Sequence, residues 1–287
     1  METSPKKVSV ILPNYNYARF FKNRIAGILE QTYPIYELIV LDDASTDDSI
    51  EVIRETLCEV KKTRSDIKLK IALNKKNSGN VFSQWQKGID FVSGDYFWIC
   101  ELDDLTKPKF LETAMESFET DPAVVLSYTN SLMVNDEGRP DPKANLRRIK
   151  NFLREDRPVK SYIRSGKVEL EKVLCIYNTI PNVSAVVFKK DPEIDYDAIL
   201  ETAKTFRLSG DWYFYVKILL HGKIAYSKKT LNIHRIHKNS VTEKTDPETH
   251  LLEVEKIHHE IAKELDLDSE TKRRMKAYED FLKNSSL

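Results

Sequence analysis

Three acidic side chains, Glu101, Asp103 and Asp104, stand within four positions of one another. Like charges this close repel one another unless a cation lies among them, and the usual cation is a hard divalent metal ion that also holds a phosphate. The spacing therefore indicates a site for Mg²⁺ or Mn²⁺ and a phosphorylated ligand. The alternative is an ordinary acidic turn, in which the carboxylates are solvated or cap a helix.

The run that precedes the acids, residues 96–100, is bulky, aromatic and uninterrupted, which is typical of a buried strand. Similar short apolar runs at 8–12, 36–41 and 68–73 predict three earlier strands, and amphipathic helices are expected between them. Alternation of strands and helices at this spacing predicts an α/β fold with a mostly parallel central sheet and helices on both faces.

Ligands of such sheets lie outside the carboxyl ends of the strands. Three polar loops follow predicted strands at 13–16, 42–45 and 101–104. We therefore expect these loops to meet at one edge of the sheet, where they would form the binding site.

The pattern loosens after residue 134. Residues 135–167 are polar and charged and are interpreted as a long excursion, whereas residues 179–188 predict another strand. Gly210 and Asp211 open a predicted helix, a polar loop is expected at 233–240, and residues 247–282 have the apolar spacing of a helical tail.

Composition excludes several classes of protein. Lys and Arg together number 45, as do Asp and Glu, so the formal net charge is zero, which argues against a nucleic-acid binder. The three cysteines are far apart and offer neither a disulfide framework nor a CxxC metal site, which indicates a reducing compartment. No apolar run is long enough to span a bilayer. We expect a cytoplasmic protein, with peripheral association at the inner face of the membrane as an alternative.

A set of short motifs, taken in order, resembles the inverting family 2 glycosyltransferases of the GT-A type, which transfer a sugar from a nucleoside diphosphate donor. Most of the motifs lie in the first 130 residues, and each is weak alone. They are Val8–Asn16, Leu41–Asp47, Asn77-Ser78-Gly79, Gly94-Asp95-Tyr96, Glu101–Asp104, Gly210-Asp211-Trp212 and Arg235-Ile236-His237.

The resemblance implies a Rossmann-like α/β GT-A domain over residues 1–245. Within it, residues 1–130 would form the nucleotide-sugar half and residues 131–245 the acceptor half. Residues 246–287 would then be a C-terminal helical extension.

The resemblance also implies which residues hold the donor. An aspartate can accept the ring N–H of uracil or thymine, and a tyrosine and a proline offer apolar surface to the base. The alternative for the acidic pair at 42–43 is a simple turn that caps the next helix. The implied donor-binding residues are Pro13, Asn14, Tyr15, Asp42, Asp43 and Asp103.

The metal ligands and the base follow from the same resemblance. Asp104 is expected to bind Mn²⁺ or Mg²⁺, which would bridge to the diphosphate, and His237 is expected beside it, although His234 competes for that role. Asp211 is expected to take the proton of the acceptor hydroxyl. Its alternative role is to neutralise the positive end of its helix.

The expected activity is transfer from a nucleoside diphosphate sugar, with a UDP-sugar preferred, to a glycan, lipid-linked or glycoprotein acceptor. The competing hypothesis is a silent nucleotide-sugar-binding or assembly module of a glycosylation complex. A nucleotidyltransferase is disfavoured, because the first loop is not a glycine-rich basic phosphate loop. The tail helices could pair between subunits or, through a basic cluster at 272–276, touch anionic lipid.

Overall fold

One mixed β-sheet forms the centre of the protein, in a computed structural model that describes residues 5–141, 160–236 and 246–285. The strands pair in the order β3-β2-β1-β4-β9-β6-β10-β5, with β7 beside β6 and β8 beside β10. All strands on the main path except β9 and β5 run in the same direction. The strands are β1 (Val8–Asn14), β2 (Glu37–Asp42), β3 (Lys68–Leu73), β4 (Tyr96–Ile99), β5 (Leu105–Thr106), β6 (Val124–Val134), β7 (Pro140–Asp141), β8 (Tyr162–Ser165), β9 (Val186–Lys189) and β10 (Lys223–Arg235).

Helices cover both faces of this sheet, as the sequence predicted. Side chains alternate along a strand, so Ile11 of β1 enters one core while Val10 and Leu12 enter the other. The α/β fold with a mostly parallel sheet is therefore confirmed. The helices are α1 (Ala18–Leu29), α2 (Ser49–Thr63), α3 (Val81–Phe91), α4 (Phe110–Thr120), α5 (Gly166–Glu169, continued by a π-helical turn to Leu174), α6 (Tyr196–Ala203), α7 (Gly210–Leu219), α8 (Pro247–Glu264) and α9 (Ser269–Ser285).

Strand β9 differs from the sequence prediction. The pattern predicted one strand over 179–188, but Val183–Ala185 forms a 3₁₀ turn and β9 begins only at Val186. Its direction is antiparallel to both β4 and β6. As a result, the segment that precedes β9 lies at the edge where the parallel strands end.

Strand β10 is longer than expected. The polar loop was predicted from residue 233, yet β10 continues to Arg235 because it pairs with β6 as far as Val134. His234 is therefore a strand residue. His237 lies outside the described residues.

The C-terminal tail forms two helices rather than one, with a break at 265–268. Its apolar stripe is buried in the same core as α3, α6 and α7, through Val254, Ile257 and Met275 among others. This burial removes one reason to expect the tail helices to pair between subunits, and pairing itself stays a prediction. The division of the chain at residue 245 remains a prediction.

The basic cluster on α9 is largely paired. Arg273 bonds to Glu270, and Lys276 bonds to Glu279 and Asp280. These pairs reduce the positive charge that the cluster would offer to anionic lipid. Within the described ranges, no helix is both long and apolar enough to cross a membrane.

Candidate active site

Two loops meet at the carboxyl edge of the sheet, after β1 and β2. Asn14 and Asp42 lie opposite each other in the parallel ladder, and the Asn14 amide donates to Asp42 Oδ2 at 2.6 Å. The Ser45 backbone N–H and hydroxyl also donate to Asp42, at 2.9 and 2.6 Å. Asp42 is fully buried. Buried Asn14 Oδ1 has no partner among the described residues, so it can accept a hydrogen bond from a ligand.

The same two loops are joined by Asn16. Its side-chain oxygen accepts the backbone N–H of Thr46 at 2.7 Å, and Asn16 itself has a φ of +57°. Ala44 has a φ of +59°, a conformation that residues with a Cβ seldom adopt. Asn16 and Ala44, which both have a left-handed backbone conformation, therefore fix the shape of the two loops around Asp42.

Asp43 forms hydrogen bonds with a third loop, at residues 74–78. Its carboxylate accepts hydrogen bonds from the Asn74 amide at 2.6 Å and from the Ser78 hydroxyl at 2.6 Å and backbone N–H at 3.0 Å. These bonds hold the turn that leads into α3. In this structure Asp43 therefore organises the loop at 74–78 beside Asp42.

The three acids predicted to form a metal site do come together. Ligand oxygens of Glu101, Asp103 and Asp104 lie within 4.8 Å of one another, immediately after β4. Asp104 is buried, and the other two are half-buried. Among the described residues, His234 is not part of this group, and its Nδ1 is buried with no hydrogen-bond partner there.

Asp104 is held by two donors. The Asn182 amide donates to its Oδ2 at 2.5 Å, and the Arg235 backbone N–H donates to its Oδ1 at 3.2 Å. Asn182 in turn accepts from the amide of Asn232, which also donates to Ser131 Oγ, both at 2.9 Å. A buried chain of amides thus fixes the orientation of the carboxylate.

The carboxylates of the cluster repel one another, and Arg24 offsets part of that repulsion. Burial raises the pKa of Glu101 well above its usual value, and Asp103, Asp104 and Asp211 raise it further. Burial also raises the pKa of Tyr17, with additional contributions from Asp103 and Glu101. A divalent cation would relieve this repulsion.

The donor set suits such a cation. Carboxylate oxygens are the ligands that Mg²⁺ and Mn²⁺ prefer. Among the described residues, each oxygen of Asp104 accepts one hydrogen bond, and since each has two lone pairs, one lone pair is left for a metal ion. The residues present therefore fit a divalent ion.

Asp211 is placed by the start of α7. A Cβ on Gly210 would lie 2.5 Å from the Phe82 ring and 2.8 Å from the Ala203 carbonyl oxygen, so only glycine allows this close approach. Asp211 Oδ1 accepts the Trp212 N–H at 2.6 Å, and Asn178 lies 3.4 Å from its other oxygen. Asp211 also raises the pKa of Glu101, so its carboxylate is near enough to the acidic cluster to act on it electrostatically.

Several residues of this site were missed or only partly assigned by sequence reasoning. Asn182 is the clearest case, because it stood within a run expected to be strand. Arg235 was named only as part of a motif, and its guanidinium donates to the carbonyl oxygens of Asp103, Asn135 and Asp136. Pro13 and half-exposed Tyr15 lie beside Asn14, as the order of the chain requires.

Comparison with known proteins shows which protein family this chain matches. The model of glycosyl transferase family 2 matches residues 9–174, which is more than half of the chain. Glycosyltransferase GlyG of Streptococcus pneumoniae is 31% identical over 125 residues, which cover 43% of this chain and 39% of that protein. The poly(ribitol-phosphate) β-N-acetylglucosaminyltransferase TarP of Staphylococcus aureus is 36% identical over 109 residues, covering 37% of this chain and 31% of TarP. The matched parts thus span well under half the length of these curated relatives.

Solved structures show the same fold. TarS of S. aureus, crystallised with UDP-GlcNAc, has a TM-score of 0.65 at 17% identity and covers 95% of this chain and 71% of its own. A mannosyltransferase of Pyrobaculum calidifontis, solved with GDP-mannose and Mn²⁺, has a TM-score of 0.63 at 17% identity, over 98% of this chain and 70% of its own. Both likenesses support the GT-A fold that the sequence predicted.

Proposed function

The chain belongs to glycosyl transferase family 2, and from this premise we propose that it is an inverting, metal-dependent glycosyltransferase that uses a nucleoside diphosphate sugar, preferably a UDP-sugar. The observation that carries the proposal is the group of three carboxylates within 4.8 Å at the carboxyl edge of the sheet. The UDP and UDP-GlcNAc complexes of the TarS neighbour support the choice of UDP.

On the donor side, the nucleotide would lie along the edge made by Pro13, Asn14, Tyr15 and Asp42. The unpartnered Asn14 Oδ1 is a buried acceptor that suits an N–H of the base. Asp103 would face the ribose or the sugar. Asp43 would contribute through the loop that it holds.

At the acidic cluster, Asp104 would bind Mn²⁺ or Mg²⁺, with His237 as the further ligand proposed from sequence. The ion would neutralise charge that develops on the departing nucleoside diphosphate. Asn182 and the Arg235 N–H would keep Asp104 aimed at it.

Asp211 would act as the general base. It would remove the proton of the acceptor hydroxyl as that oxygen attacks the anomeric carbon, and the bond to the nucleoside diphosphate would break with inversion. The acceptor is proposed as a hydroxyl of a glycan, a lipid-linked glycan or a glycoprotein. A cytoplasmic location, with peripheral membrane association as the alternative, stays a prediction.

The test is calorimetric titration with UDP, GDP and dTDP, each with and without Mn²⁺, on the natural protein and on Asp104→Ala. We expect UDP to bind tightly only with metal and the affinity to collapse in the variant. If none of the nucleotides binds, the donor site is wrong, and a silent assembly module becomes the better account. Tighter binding of GDP or dTDP would overturn only the choice of nucleotide.

A further inference from the structure

The segment directly before α7 is held by hydrogen bonds to a carboxylate of the C-terminal tail. Glu253 of α8 is buried and accepts the backbone N–H groups of three consecutive residues: Arg207, Leu208 at 3.0 Å and Ser209 at 2.8 Å. Hydrogen bonds to an ionised acceptor are about twice as strong as neutral ones. Three such bonds converging on one side chain make a rigid anchor.

This anchor lies two residues from Asp211. Ser209, the last residue held by Glu253, immediately precedes α7, and its carbonyl accepts the Tyr213 N–H at 3.1 Å. The start of α7 is also wedged against Phe82 through Gly210. The N-terminal turn that carries Asp211 therefore cannot shift without breaking a bond to Glu253.

Helix α8 is itself fixed to the body of the protein. The His258 ring nitrogens lie 2.8 Å from Glu279 Oε1 and 3.0 Å from the Ile176 carbonyl oxygen, and the ring packs edge-on against Trp212. Lys256 donates to Thr205 Oγ1 at 2.6 Å. The tail thus contacts the chain on both sides of Asp211.

We propose that Glu253 is a positioning residue that fixes the start of α7, and with it Asp211, relative to the acidic cluster. The inference rests on the proposed function, because it takes Asp211 as the base and places the donor at the acidic cluster. The tail helices are then a working part of the acceptor side. Their role is to set the distance and direction from the base to the donor's anomeric carbon, where small displacements lower the rate strongly.

The experiment compares Glu253→Gln with Glu255→Gln, an exposed glutamate on the same helix. Three quantities are measured on the full chain: amide hydrogen exchange over residues 207–213, calorimetric affinity for UDP with Mn²⁺, and UDP release from UDP-GlcNAc with water as acceptor. For Glu253→Gln we expect faster exchange confined to 207–213 and a fall in kcat of about 10- to 100-fold. UDP affinity and KM should stay within about twofold, because the residues that Glu253 holds, 207–209, are not among the proposed donor-binding residues. The Glu255→Gln control should match the natural protein in all three.

Unchanged exchange over 207–213, or exchange that rises equally throughout the chain, overturns the proposal. So does an unchanged kcat in an otherwise active enzyme. If Glu253→Gln does not fold, Glu253→Asp, which keeps the charge on a shorter side chain, takes its place with the same criteria, and failure of both to fold also overturns it.

Asp211→Asn in the same assay separates this inference from the proposed function. If that variant keeps full turnover, Asp211 is not the base, whereas the exchange data still decide whether Glu253 fixes the segment. The exchange data decide alone if the natural protein does not release UDP from UDP-GlcNAc.

Discussion

Replacing Asn182 by leucine removes the side-chain donor to Asp104 and keeps the number and branching of the side-chain heavy atoms. The lost contact is the 2.5 Å hydrogen bond to Asp104 Oδ2. Asn232 loses one acceptor but keeps Ser131. Asp104 keeps the Arg235 N–H on its other oxygen, so the carboxylate is freed at one end only.

The expected magnitude follows from these contacts. A hydrogen bond to a charged group is worth about 1.5–3 kcal/mol, and we expect the free energy of unfolding to decrease by an amount in that range. Loss of a residue that orients a metal ligand lowers metal affinity by about 10- to 100-fold. That change corresponds to about 1.4–2.8 kcal/mol in binding free energy.

The assay is Mn²⁺ titration in the presence of saturating UDP, followed by electron paramagnetic resonance of free Mn²⁺, with urea unfolding in parallel. Asn130→Leu is the matched control, because Asn130 donates to Thr230 across β6 and β10, away from the acidic cluster. The control should lose stability but keep its Mn²⁺ affinity. Unchanged or tighter Mn²⁺ binding by Asn182→Leu would refute the reasoning, since it would mean that Asn182 serves only the fold.

Three further predictions concern stability and reactivity. Burial raises the pKa of Glu37, but hydrogen bonds from two serines and from Lys70 outweigh it and leave the pKa below the ordinary 4.5. The contribution of Glu37 to stability is therefore present above about pH 4.5 and is lost as the pH falls further. Between pH 5 and 3, the free energy of urea unfolding should therefore depend less on pH in Glu37→Gln than in the natural protein. Gly210→Ala should lower the free energy of unfolding by about 1–3 kcal/mol, because the added methyl group overpacks the contact with Phe82. Adding Phe82→Leu to that variant should recover part of the loss, and additive losses in the double variant would contradict the contact. In the native protein Ellman's reagent should modify only exposed Cys58, because burial raises the pKa of each of the other two thiols to about 12; more than one reactive thiol before urea is added would refute this.

The sequence predicted well the elements whose burial is uniform. Strands β1, β2 and β4 are short and buried almost throughout, whereas β3 is largely exposed and was predicted from its spacing between amphipathic helices. The meeting of the loops after β1, β2 and β4 then followed from the rule for parallel sheets. Local pattern and general topology were sufficient to predict these strands and the loops that meet at their carboxyl ends.

The surroundings of Asp211 and Asp104 depended on long-range contacts that no local pattern contains. Glu253 bonds to amides 44 to 46 positions earlier in the chain, and Asn182 bonds to an aspartate 78 positions away. The reversed direction of β9 was equally hidden, because its residues are as apolar as those of a parallel strand. Such partners are set by tertiary packing.

The reversal of β9 has a consequence for how this protein can diversify. The short stretch of chain before β9 contacts two of the proposed site residues, with Asn178 at Asp211 and Asn182 at Asp104. The stretch therefore connects the proposed base to the proposed metal ligand. An insertion or deletion within 178–182 would alter that connection, so changes of acceptor should accumulate outside it.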